Sequence, residues 1–307
     1  MKSNKISTAQ LARMCNVSQG TVDRALHNRP GVSEKTKEHI LSVAKEYGYR
    51  PNKCDANKLV GIIVFDLYNS YFAELIVELE TEFRKYGYYS LVMFSNKDKK
   101  TERECIETVY NAGVEAIIIC PVNGGSEFAK YLHSWKIPVV TLGNRVEGVK
   151  YIGVNDFSAM HDLTEKIIAG NKNKLIYFSP SLQYTDCNNY SQKQRYLGFE
   201  SAAQKHSNVS YTVVTDEDIL RKTVKKHDMI IASTDYYALK VLFSGIADKG
   251  NVAGFDCIPD TEKFGIPLLT VAFDRMRIAK YVADYVINQG NDEDVIVEHR
   301  IIGELVE

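Results

Sequence analysis

From residue 59 onward the chain alternates between short apolar runs and amphipathic helical patterns, and few architectures can satisfy that alternation. The apolar runs fall at 59–66, 89–94, 114–120, 137–142, 150–154, 174–179, 209–214, 228–233, 252–255 and 268–272, and the spacing predicts strands there. Helical periodicity lies between them near 71–86, 101–112, 125–134, 157–169, 190–206, 217–226, 235–248 and 275–289. Continuous apolar strands imply parallel sheets covered by helices on both faces. About 250 residues of this pattern suggest two doubly wound parallel-sheet lobes. The expected division is lobe 1 at about 59–156 plus 273–290 and lobe 2 at about 157–272 plus 291–307. Ligands of open parallel sheets bind beyond the carboxyl ends of the strands, so the cleft between the lobes is the expected site.

The rest of the composition narrows the class. At 307 residues and 45% hydrophobic the chain can bury a sizeable core, and no apolar run approaches the roughly 20 residues of a membrane helix. The N-terminus, Met1-Lys2-Ser3-Asn4-Lys5, enters a polar pattern without a secretory apolar stretch, so the cytoplasm is the expected compartment and no membrane partner is expected. The six cysteines show no zinc-ligand or redox spacing; they read as reduced thiols, with no metal and no cofactor.

The first 53 residues are different. They carry ten Lys or Arg against four acids, a net of +6, whereas the 28 basic and 35 acidic residues that follow give −7. A compact basic head on an acidic body suits a phosphate-binding module, although a solvated basic face would look the same. Three short helices can be read in it. Ser7 or Thr8 caps the first, through Ala9, Leu11 and Ala12; Ser18 caps the second, through Thr21, Val22, Ala25 and Leu26; Ser33 and Glu34 open the third. The third has its apolar face at Ile40, Leu41, Val43, Ala44 and Tyr47, and Gly48 ends it. Two helices about a tight turn plus a support form a small all-α helix-turn-helix headpiece at 1–53. In that geometry the second helix enters the major groove and Gln19, Thr21 and Arg24 face the bases.

The run Val17-Ser18-Gln19-Gly20-Thr21-Val22-Asp23-Arg24-Ala25-Leu26, with Arg29-Pro30-Gly31-Val32-Ser33 and Tyr47-Gly48-Tyr49-Arg50-Pro51-Asn52, resembles the headpiece of the LacI/GalR repressor family. The resemblance implies that Gln19 and Gly20 discriminate operators and that Arg24 is a DNA contact. The full candidate set is Thr8, Ser18, Gln19, Gly20, Thr21, Arg24, Asn28, Arg29 and Tyr49. Asp23 stands where the family more often has Ser. The connection at 54–58 is short and holds no leucine where family members place one to wedge the minor groove. The expected outcome is weaker bending at the operator centre or different half-site spacing, which a co-crystal with operator would reveal.

Polar and aromatic residues stand at the strand ends of the body: Asp66, Asn69, Tyr71 and Phe72 after the first strand, Asn144 and Arg145 after the fourth, Asp156 after the fifth. Arg195 lies at a helix start, and Thr234, Asp235 and Asp256 follow later strands. Fork donors, carboxylates and aromatic faces together suit a polyhydroxylated ligand. Each also has an ordinary role: Asp66, Asp156 and Asp256 as helix caps, Arg195 in a surface ion pair, Tyr71 and Phe72 in the core. These positions resemble the ribose-type periplasmic binding fold, in Asn69-Ser70-Tyr71-Phe72, Asn144-Arg145, Arg195 of Arg-x-x-Gly-Phe, Thr234-Asp235 and Gly254-Phe255-Asp256. The resemblance implies that Arg195 and Asp256 grip hydroxyls, that Arg145 adds a second fork and that Tyr71 or Phe72 stacks on the ring. Thr234, Asn144 and Phe273 replace more polar residues of the family, which implies a less hydroxylated, deoxy or more apolar ligand, or one carrying an aromatic base.

Together these features predict a DNA-binding transcriptional regulator, a homodimer on a double-stranded operator, controlled by a small effector such as a monosaccharide or derivative. A solute-binding protein of a transport system shares the body fold but not the basic head. An enzyme is disfavoured because neither a dinucleotide fingerprint, a P-loop nor a nucleophile elbow is present. Leu75, Leu79, Phe83 and Tyr110 are candidates for the subunit contact or, equally, for the core.

Overall fold

Ser7, Ser18 and Ser33 each precede a helix, and each hydroxyl accepts a hydrogen bond from a backbone N–H of the first turn. The computed structural model describes residues 6–26, 30–49, 58–266, 268–288 and 293–304. The capped helices are α1 (Thr8–Met14), α2 (Gln19–Leu26) and α3 (Glu34–Glu46). At Ser7 the Gln10 side chain reciprocates by accepting the Ser7 N–H at 2.7 Å. Gly48, at φ 62°, ends α3 and lets Tyr49 N–H donate to the Ala44 carbonyl at 2.8 Å. Leu11, Val22, Ala25, Ile40, Ala44 and Tyr49 form the headpiece core. Leu41 and Tyr47, expected on the apolar face of α3, are exposed, because so small a core admits a single stripe of that helix. The connection expected at 54–58 lies outside the described residues except for Lys58, the first residue of β1 (Lys58–Val64).

In lobe 1, β1 pairs in parallel with β2 (Tyr88–Phe94) and β3 (Ala116–Ile119), and β3 with β4 (Val139–Thr141). A single bridge from Thr141 to Tyr151 leads to β5 (Ile152–Val154). The helices α4 (Ser70–Arg84), α5 (Lys99–Asn111) and α6 (Gly125–His133) cover this sheet. Lobe 2 repeats the plan, with β6 (Lys174–Phe178), β7 (Ser210–Val214), β8 (Met229–Ala232) and β9 (Val252–Ala253) in the order β7-β6-β8-β9. A bridge from Ala253 to Leu269 continues to β10 (Thr270–Phe273). Its helices are α7 (Asp156–Ala169), α8 (Tyr190–Gln204), α9 (Glu217–Thr223), α10 (Asp235–Phe243) and the short α11 (Pro259–Lys263), while α12 (Arg275–Asn288) returns to pack on α4. The expected fold class, an all-α headpiece followed by two doubly wound lobes, is the one observed.

One boundary differs. Residues 291–307 were expected wholly in lobe 2, but Val295–Val297 form β11, parallel to β5 in lobe 1. Only His299–Ile302, as β12, lie in lobe 2, antiparallel to β10. Val295–Val297 cover a flank of β5 that would otherwise be a bare strand edge. The chain therefore passes between lobes three times, after β5, after β10 and after β11. Leu75, Leu79 and Phe83 are buried in the lobe 1 core and Tyr110 packs on Trp135 at 4.6 Å, so none is available as a subunit contact.

Helices α7 and α8 meet at Gly198, where an added Cβ would lie 2.2 Å from the Phe157 carbonyl oxygen, a backbone atom that cannot rotate away. Gly198→Ala is expected to destabilise the protein by about 1–3 kcal/mol. An unchanged urea midpoint would show that α8 can shift without cost.

Candidate functional site

The face of α2 expected to carry the base contacts is exposed. Gln19, Gly20 and Arg24 are exposed, while Val22 and Ala25 hold the opposite face in the core. Ser18 and Thr21 hydroxyls bond to each other at 2.9 Å, which fixes the first turn. Tyr49 departs from expectation: its ring is buried and its hydroxyl lies 2.6 Å from Thr8 Oγ1, so it orients Thr8 instead of presenting itself at the surface. Asn28 and Arg29 lie outside the described residues.

Between the lobes is a cavity of about 500 Å³ lined from both sides. Its polar floor is a buried network centred on Arg195. Arg195 Nε donates to Asp156 Oδ1 at 2.7 Å, Nη1 to the Ser233 carbonyl at 2.7 Å, and Nη2 lies 3.1 Å from Asp256 Oδ1. The guanidinium sits 3.8 Å from the centre of the Phe255 ring. From lobe 1, Asn69 Nδ2 donates to Asp256 Oδ2 at 2.9 Å, while its Oδ1 caps α4 by accepting from Tyr71 N–H. Asp256 holds φ 109°, a strained backbone that aims its carboxylate into the site. Burial pushes the Asp156 carboxyl up to about 6 despite Arg195, and raises Asp256 as well. Asp156 Oδ2 is buried without a hydrogen-bond partner among the described residues, the state of an acceptor awaiting a donor. Tyr71 and Phe72 line the wall with rings 5.5 Å apart, and burial raises the Tyr71 phenol. Asp66 sits at the rim, paired with Lys97 at 3.2 Å.

Two expected residues are elsewhere. Arg145 does not line the cavity and pairs with Asp294 in a separate pocket beside Pro138 and Tyr285. Asp235 is fully buried outside the cavity lining, accepting from Thr270 Oγ1 at 2.7 Å and Ile258 N–H at 3.0 Å. Their sequence neighbours Asn144 and Thr234 do line the cavity, as does Phe273. Asn144 is committed to structure, donating to the Pro121 and Asn188 carbonyls and accepting from Ser191. Sequence reasoning missed Lys97, Tyr151, Tyr184, Gln192, Tyr236 and Tyr237. Only Tyr236-Tyr237 carried a signal, following Thr234-Asp235 at the end of β8. Among the described residues no cluster of His, Cys, Asp or Glu could hold a metal, and no helix is long and apolar enough to cross a membrane.

Residues 9–52 match the profile of bacterial regulatory proteins of the lacI family. Residues 57–221, more than half of the chain, match that of periplasmic binding proteins and the sugar binding domain of the LacI family. The chain belongs to the LacI family. Catabolite control protein A of Staphylococcus xylosus is 28% identical over 171 residues, 53% of this chain and 52% of that protein. The matches with curated relatives span 52–63% of those proteins' lengths. The crystal structure of the lac repressor dimer bound to operator and the anti-inducer ONPF superposes with a TM-score of 0.67 at 14% identity, covering 98% of this chain and 99% of that one. A LacI-type protein of Alkaliphilus metalliredigens complexed with D-xylulofuranose gives 0.67 at 18% identity, covering 82% and 100%. At these identities the structural likeness speaks for the fold alone.

Within this LacI-family body, Asp235 is a structural clip. Burial pushes its carboxyl up to about 7, with Thr270 working against the shift. Asp235→Ala strands the Thr270 hydroxyl and the Ile258 N–H, and is expected to cost about 2–6 kcal/mol at about one to three for each unsatisfied group. A carboxyl raised on folding stabilises most below its unfolded value of 3.8, and that contribution fades as pH rises through about 7. The urea midpoint difference between Asp235→Ala and the parent should therefore be larger at pH 4 than at pH 8. An equal difference at both would show that the carboxyl titrates normally.

Proposed function

We propose that this LacI-family chain is a DNA-binding transcriptional regulator, not an enzyme, whose operator affinity is set by a small sugar-like effector held between the lobes. One observation carries the reading: a headpiece with an exposed α2 face is joined to a cleft whose floor presents Arg195, Asp256 and the open Asp156 Oδ2 beside aromatic rings. Gln19 and Arg24 have the chemistry to read base edges, and Ser18, Thr21 and Thr8 to touch phosphate. In the cleft, Arg195 and the two carboxylates suit hydroxyls, and Tyr71 and Phe72 suit the apolar face of a ring. With Arg145 and Asp235 withdrawn and Phe273 apolar, the charged groups of the floor reduce to Arg195, Asp156 and Asp256, while Tyr71, Phe72, Tyr151, Tyr184, Tyr236 and Tyr237 add aromatic surface, which favours a deoxy sugar or a ligand carrying an aromatic group. A homodimer would present two heads to an approximately palindromic site, and a preference of the ligand for one lobe arrangement would bias head spacing. Such a protein acts in the cytoplasm. A solute-binding role shares the body but leaves the headpiece without purpose.

Two measurements test this reading. In a thermal-shift screen against monosaccharides, deoxy sugars, polyols and nucleosides, a ligand at 100 times its Kd adds about 2.7 kcal/mol. The hit is expected to vanish in Asp256→Asn and Arg195→Lys; a hit that survives both lies outside the cleft. Selection of bound duplexes from a random pool should return a site of dyad symmetry, and Arg24→Ala should weaken binding to it by about 1–3 kcal/mol. Failure to enrich any sequence would reject the regulator reading.

A further inference from the structure

A cation of the headpiece rests on an aromatic surface of lobe 1. Lys45, in the last turn of α3, places Nζ 4.3 Å from the centre of the Trp135 ring and 5.4 Å from that of Tyr131. The contact is reciprocated: Lys136 Nζ donates to the Glu46 carbonyl, one of the last carbonyls of α3, where the helix dipole favours a positive charge. Lys136 holds a left-handed backbone, φ 53°, which a non-glycine residue adopts at a cost. Its side chain runs close to Gly48, where an added Cβ would lie 3.9 Å from Lys136 Cδ.

The receiving surface is braced from within lobe 1. Trp135 is buried in the lobe 1 core, tilted against Tyr110 at 4.6 Å and edge-on to Tyr131 at 5.6 Å. Arg103 holds the Tyr131 ring at 4.3 Å. Lobe 1 therefore sets the orientation of the indole, and the headpiece meets a preformed surface.

We propose that the Tyr131–Trp135 surface of lobe 1 is a docking site for the basic C-terminal end of α3, so that the headpiece rides on lobe 1 in a defined orientation. Gln19, Gly20 and Arg24 stay exposed in this arrangement, so docking leaves the reading face open. The short connection at 54–58 holds no leucine for a minor-groove wedge. Docking gives lobe 1 a second path to the headpiece, through side chains instead of through the connecting segment. The proposal goes beyond the regulator reading and is tested without DNA or effector.

Trp135 is the only tryptophan in the chain, so its fluorescence reports on the docking surface without a label. Acrylamide quenching of Trp135 and the rate at which trypsin releases the headpiece at Lys53 or Lys58 would be measured on the full-length protein. Lys45→Met keeps the methylene stem and removes the charge, Lys45→Arg keeps a cation, and Lys136→Met removes the reciprocal donor. Docking predicts stronger quenching and several-fold faster release in Lys45→Met and Lys136→Met, with Lys45→Arg close to the parent. Parent-like release in both Met variants overturns the proposal. Altered quenching with unchanged release also overturns it, because the change is then local to the indole.

Discussion

Arg195 is a full charge in the interior of lobe 2, and much of the cleft is arranged around making that tolerable. Removing an ion from water costs several kcal/mol, recovered only when hydrogen bonds of good geometry replace the lost hydration. Asp156 from α7, the Ser233 carbonyl from the end of β8 and Asp256 from the loop after β9 each take part of the guanidinium, and Phe255 covers its face. Four separate stretches of lobe 2 are fixed relative to one another by one side chain. Asn69 extends the arrangement into lobe 1 by holding the second oxygen of Asp256. The same groups that neutralise the arginine are thus oriented toward the cavity, so stability of the lobe and readiness of the site come from one network.

The lobes are also tied independently of anything in the cavity. Asn188, in the loop before α8, donates its backbone N–H to the Val122 carbonyl at 2.7 Å, and its side chain donates to the carbonyls of Asn123 and Arg145. Its own carbonyl accepts from Asn144 at 2.7 Å. These bonds favour the present lobe arrangement before any ligand arrives. A ligand alters that balance only by the difference in its affinity for two arrangements, so residues at this seam affect the response as much as those touching the ligand.

How much of this was legible depended on length and on direction. Strands such as Lys58–Val64 and Lys174–Phe178 announce themselves because both faces are buried and every residue is apolar or nearly so. Val295–Val297 and His299–Ile302 did not, since three or four residues carry no period and Glu298 interrupts them. In the cleft, Arg195, Asp256, Asn69, Tyr71 and Phe72 were recognisable from their motifs. Arg145 and Asp235 were misplaced because neither lies in a strand with a period to read: Arg145 sits in the loop after β4 and turns to Asp294, and Asp235 is the first residue of α10, turned inward to Thr270 and the Ile258 N–H. Lys97, Tyr184 and Tyr237 reach the mouth from three unrelated loops and helices, a convergence that only the folded chain displays.

The three passages between lobes bear on how the protein is made. Nascent domains ordinarily fold one after another, the N-terminal one first. Here lobe 1 lacks β11 until residue 297 has been synthesised, and lobe 2 lacks β12 until residue 302. Neither lobe can pair all its strands until these late segments have been added, so each waits with an open strand edge. The headpiece, whose core among the described residues draws on 6–49, can complete its fold early.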